Sequence, residues 1–102
     1  MLLFFMPIYI LATKLQNPDL FEKRKEQGDK YLKLVREKVP SIKWIAHYAI
    51  LGPYDFIDIF EAESEQEAAK VSLLSRSAGA SFAESWTAIP YSNFIKIIED
   101  LK

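Results

Sequence analysis

The sequence predicts an α+β domain in the order β-α-β-β-α-β, closed by a short terminal helix. Three observations carry that reading. Residues 43–61 hold two runs rich in β-branched and aromatic residues around Gly52-Pro53-Tyr54-Asp55, the strongest hairpin signal in the chain. Asn17-Pro18 reads as an N-cap with proline at the first helical position, and Val39-Pro40 stops the helix that follows. Ser64-Glu65-Gln66-Glu67 is a capping box, in which the serine oxygen meets the N3 amide and Glu67 reaches back.

In chain order, the first strand is expected over residues 8–13, because Pro7 cannot donate to a ladder and a central strand starts after it. The apolar run before it is too short to cross a bilayer, which takes about 20 residues, and it lacks the basic start of a secretory signal. Residues 1–5 read as an N-terminal extension, with Met6 a candidate start and 6–102 a single domain.

The first helix runs from Asn17 to about Lys38, with Asp19 and Glu22 at its positive end. Its inward stripe is Phe21, Gly28, Tyr31, Leu32, Val35 and Val39. Gly28 in mid-helix costs about 1 kcal/mol against alanine. It reads as a close helix–sheet approach, with room for a ligand as the alternative. The second helix has a narrow face of Ala68, Val71, Leu74 and Ala78, and Gly79 suits the left-handed position after it. A last strand is expected over residues 82–89, stopped by Pro90. Ser92 or Asn93 then caps a helix with Phe94, Ile97, Ile98 and Leu101 on one side. Two right-handed β-α-β crossovers joined through a hairpin give a ferredoxin-like, four-stranded antiparallel sheet with both helices on one face. The other face is left bare.

Composition narrows the partners. A single domain of 102 residues has an expected radius of gyration of about 13 Å. Half of the chain is hydrophobic and 14% aromatic, a surplus that points to apolar surface buried against another copy. Thirteen basic and fourteen acidic residues leave a net charge of −1, so no field draws in nucleic acid or an anionic membrane. Without cysteine there is no disulfide, Fe–S cluster, thiolate metal site or cysteine nucleophile, and cytoplasm is the default compartment. No cofactor and no metal are expected: a lone histidine with scattered carboxylates lacks ligand spacing. Gly28, Gly52 and Gly79 form no phosphate loop, and Ser75, Ser77, Ser81 and Ser85 have no nucleophile-elbow context.

If Gly52–Asp55 closes the turn symmetrically, Leu51 faces Phe56, Ala49 faces Asp58 and His47 faces Phe60. One side of the hairpin then carries Ile45, His47, Ala49, Leu51, Phe56, Asp58 and Phe60; the other carries Trp44, Ala46, Tyr48, Ile50, Ile57 and Ile59. The second set has no charge and is assigned to the helix-packed side. His47 and Asp58 then stand diagonally on the open side. There Asp58 orients the imidazole as a base or a ligand anchor, or the two form a satisfied polar pair in an interface. The aromatics Trp44, Tyr48, Trp86 and Tyr91 read as core or interface, with a pocket for a flat apolar ligand as the alternative.

At Leu51-Gly52-Pro53-Tyr54-Asp55, followed by Phe-Ile-Asp-Ile-Phe-Glu61-Ala62, the chain resembles the GYD-domain family. Met6-Pro7-Ile8-Tyr9, Gln27-Gly28 and Ala78-Gly79 match features of that family as well. The resemblance covers most of residues 6–89 and leaves the tail from Pro90 beyond the common core. It departs where Glu61-Ala62-Glu63-Ser64 replaces the family's Glu-Ala-Pro-Asp and Ala83-Glu84-Ser85 replaces its threonine-x-threonine. The resemblance implies a branch of the dimeric α/β-barrel superfamily, in which two open sheets pack face to face, and it implies no established activity.

The expected function is a homodimeric protein that binds a small apolar or aromatic molecule or serves an accessory role. His47, Tyr48, Asp58 and Trp86 are its candidate ligand residues. Gly52, Tyr54 and Asp55 are structural, with Tyr54 packed at the hairpin tip and Asp55 accepting backbone hydrogen bonds of the turn. The alternatives are a cofactor-independent oxygenase or isomerase acting on an aromatic substrate with His47 as base, paired with Asp58, and an assembly module without a ligand.

Overall fold

A computed structural model describes residues 6–16 and 23–102. The order is β1 (Ile8–Leu15), α1 (Arg24–Lys38), β2 (Lys43–Ala49), β3 (Phe56–Glu61), α2 (Glu65–Ser77), β4 (Ala80–Ala88) and α3 (Tyr91–Asp100). The four strands form one antiparallel sheet in the order β2-β3-β1-β4. This is the ferredoxin-like α+β arrangement with an added C-terminal helix. The expected start of the first helix at Asn17-Pro18, with Asp19, Phe21 and Glu22, lies outside the described residues.

Apolar alternation places Tyr9 and Leu11 of β1, Phe60 of β3 and Ala83 of β4 on the helix side, all buried, beneath Val35 and Val39 from α1 and its end and Ala68 and Val71 of α2. Tyr9 stacks on Phe60 with ring centroids 5.7 Å apart. Two serines of α2, Ser72 and Ser75, are buried beside the apolar face, a feature that hydrophobic spacing does not register. Ser72 Oγ lies 2.6 Å from Ser85 Oγ, and the Ser85 hydroxyl donates to Ala68 O, so both hydroxyls are satisfied.

Several local expectations change. The Ser64 hydroxyl accepts from the Glu67 amide at 3.3 Å, but the Glu67 carboxylate bonds Lys70 at 3.0 Å instead of reaching back. That leaves half of a capping box. Gly79 does take the left-handed conformation, with φ 111°. Gly28 is not a close approach to the sheet: a Cβ there meets only the Arg24 guanidinium, at 3.4 Å. α3 begins at Tyr91 behind Pro90, with no side-chain cap from Ser92 or Asn93.

The largest departure concerns shape. The radius of gyration is 15.3 Å and the long dimension 52 Å. α3 packs against no other described element, so it extends the molecule rather than thickening it.

Candidate functional site

The hairpin closes through residues 50–55, not through a tight four-residue turn. Ile50 N donates to Asp55 O at 2.9 Å, and the ladder resumes only at Ala49 opposite Phe56. Every partner therefore slides by two positions, which preserves facing but brings His47 directly opposite Asp58. A bulge between Trp44 and Ala46 then shifts the register again, setting Trp44 opposite Phe60 and on its face.

The two sides of the hairpin are also the reverse of the expected assignment. Phe60 is fully buried under the helices, so Asp58, Phe56 and His47 lie on the helix side, while Ala46, Tyr48, Ile57 and Ile59 face the open side. The absence of charge in the second set misleads because Asp58 has a partner. His47 Nδ1 and Asp58 Oδ1 are 2.9 Å apart. The residue set around them comes from three elements. Trp44 stands 5.0 Å from the His47 ring and 5.4 Å from Phe60, Tyr31 of α1 is 6.4 Å from Trp44, and Arg24 lies 4.6 Å over Phe56.

Electrostatics follow from the burial. Burial pushes the Asp58 carboxyl above its usual range, while the hydrogen bond and charge of His47 and the charge of Arg24 pull it partly back. The Tyr31 phenol is raised first by its own burial and then by the Asp58 charge. It donates to Val71 O at 3.1 Å, which ties α1 to α2. In the tautomer that donates Nδ1–H to Asp58, Nε2 carries the lone pair, the arrangement of an oriented base or anchor. Its surroundings limit what it can hold. The His47 side chain is 47% exposed on the edge strand β2. The cavity beside Arg24, Tyr31, Phe56 and Ser75 measures only about 50 Å³, far below the roughly 300 Å³ of a small-molecule pocket. Larger clefts of about 370, 440 and 450 Å³ are lined by neither His47 nor Asp58. Among the described residues no group of three or more acidic or histidine side chains is placed to hold a metal ion.

The other candidates lie across the sheet. Tyr48 is 55% exposed on the open face of β2, and Trp86 stands on the open face of β4, at the opposite edge. The four expected ligand residues thus divide into two faces. Trp44 and Tyr91 do not join Tyr48 and Trp86 either: Trp44 packs under the helices and Tyr91 is exposed on α3.

The turn motif does more than expected. Tyr54 does not stay at the hairpin tip. It lies across the open face against Phe82 at 5.7 Å and Trp86 at 5.5 Å, with the Lys14 ammonium 5.6 Å over its ring. Those two residues flank Glu84, the register partner of Ala12. Ala12 is fully buried on this same face, where no described helix lies. Asp55 accepts a backbone hydrogen bond, but from Leu15 N at the end of β1 (2.7 Å), and its own amide donates to Thr13 O. Gly-x-Tyr-Asp is therefore a clamp between the hairpin loop and β1–β4.

The family model for the GYD domain matches residues 9–98. The chain belongs to the GYD domain family. The match runs past residue 89 into α3, so the tail is not outside the family's common region as its sequence suggests. A Thermus thermophilus protein named "Glutamine synthetase and cystathionine beta-lyase binding protein" is 37% identical over 55 residues. That stretch is 54% of this GYD chain and 58% of the relative, so the chain spans little more than half of the curated relative's length. Among the described residues no helix is long and apolar enough to cross a membrane.

Proposed function

We propose that this GYD-domain chain is a homodimeric accessory protein that binds other proteins. One observation carries the reading: an apolar sheet face of Ile8, Ile10, Ala46, Tyr48, Ile57, Ile59 and Trp86 that no described helix covers. Pairing with a second copy would cover it, as the resemblance to dimeric α/β barrels implies. The name of the Thermus thermophilus relative adds the second half, since that protein is named for binding two enzymes. Native mass spectrometry tests the first half: a dimer is expected at micromolar concentration, and a monomer rejects the reading. Titrating the purified dimer against the glutamine synthetase and the cystathionine β-lyase of its own organism tests the second. Saturable binding to either is expected, and binding to neither removes the carry-over from the relative.

A second reading has one favourable observation, the 2.9 Å His47–Asp58 contact that leaves Nε2 free for a ligand or proton. It makes the domain a binder of a small aromatic molecule, or a cofactor-independent oxygenase or isomerase with His47 as base. Replacing His47→Ala separates the two, since turnover of quinol-type substrates unaffected by the change leaves the catalytic form without support.

A further inference from the structure

We infer that α3 is an exchange arm, which in a pair of copies lays its apolar stripe on the open sheet face of the second copy. The inference deepens the homodimeric reading above and rests on it. α3 is strongly one-sided: Phe94, Ile98 and Leu101 lie along one stripe with Ile97 beside it, while Ser92, Lys96, Glu99 and Asp100 lie opposite. All four stripe residues are exposed, Leu101 to 83%, and the helix packs on no other described element. A ten-residue helix is marginal alone in water. Its order therefore needs a surface that no other described element gives it.

The receiving surface is the half of the open face that Tyr54 leaves bare. Tyr54 covers the β1–β4 half of its own sheet, whereas Tyr48, Ile57, Ile59 and Ala46 on β2 and β3 have no such cover. The area fits one copy of this chain. Tyr48 and the four stripe residues keep between 38% and 83% of their surface exposed. At about 200 Å² for a whole side chain of this size, these five alone come to on the order of 500 Å², more than half of the roughly 800 Å² each partner contributes to a stable interface. Each chain supplies one arm and one bare half-face, so a two-fold pair satisfies both and closes. Pro90 sets the geometry: with φ −52° and ψ 136° it carries the chain out of β4 before the helix begins, as an arm requires.

The full chain contains no cysteine, so introduced thiols report cleanly. The first experiment measures the dimer dissociation constant of F94E/I98E by sedimentation. Because α3 packs on no other described element, the variant is expected to keep the wild-type circular dichroism spectrum while dimerisation weakens at least tenfold. A wild-type dimer with an unchanged constant in the variant overturns the arm and leaves the homodimer standing. A wild-type monomer overturns both. A wild-type monomer that pairs only once residues 1–5 are removed shows that this segment occupies the surface, and it too overturns both. The second experiment mixes I98C and Y48C copies and oxidises them. A covalent pair of about twice 11.8 kDa, formed in the mixture and not by either variant alone, is expected. Linkage of I98C to itself places arm against arm and overturns the assignment.

Discussion

The two faces of the sheet are built from similar residues and held in different ways. On the helix side Phe60, Leu11, Val35, Val39 and Val71 are all under 2% exposed, interlocked through Tyr9, Trp44 and Tyr31. On the open side Tyr54 packs on Phe82 and Trp86 while Tyr48 and Trp86 remain in contact with water. The covered face is completed within one chain. The open face carries only the clamp at the hairpin loop, and no described helix lies on it. The polar pair is inverted as well: His47 and Asp58 sit on the covered side, where burial gives a carboxylate something to lose, and not on the side left for partners.

The sharpest break in that contrast comes from Phe60→Ala. It opens a cavity under Tyr9 and Trp44 and is expected to cost about 3–5 kcal/mol, read as a fall in the urea midpoint that does not vary with protein concentration. Asp55→Ala removes a 2.7 Å charged acceptor from Leu15 N. A loss of about 1.5–3 kcal/mol is expected from the unpaired amide and the freed loop, with hydrogen exchange rising at Leu15 and Thr13 before the core opens. Tyr54→Ala removes contacts to Phe82 and Trp86, and about 1–3 kcal/mol goes with two aromatic pairs. Its diagnostic is a change in Trp86 fluorescence; an unaltered spectrum would mean the lid does not rest there.

The smallest expected effect is a pH slope. The folded protein holds the Asp58 proton more tightly than the unfolded chain, whose carboxyl titrates near 3.8. From there up through the raised folded value, the folded state binds more protons, so this group's contribution to stability falls as pH rises. Asp58→Asn removes the titration and still offers His47 an oxygen. Its stability relative to wild type is expected to rise as pH climbs above about 4, followed by urea unfolding across the pH series. A difference that stays constant with pH shows a carboxyl that is not desolvated.

Much of the fold was legible along the chain because its signals are local. Pro7, Val39-Pro40, the Ser64 cap and Gly79 act within a turn or two of themselves, and the elements they bound lie where those residues imply. The Gly-x-Tyr-Asp motif marked the family, and with it the sheet. What it does there was less visible, because the partners of Tyr54 and Asp55 are Phe82, Trp86 and Leu15, far away in sequence.

Order and kind of element, the helix-facing stripes and the nearness of His47 to Asp58 were thus written in residue spacing, which hydrophobic burial and backbone sterics translate directly. Which face each residue occupies, how the hairpin loop is clamped and where α3 points were decided only in three dimensions. A bulge at Ile45 and a longer loop each change the register by a residue or two at little local cost. The choice between faces was then made by the summed packing of Phe60, Tyr9 and Leu11 under the helices, a sum over distant residues that no window of sequence contains.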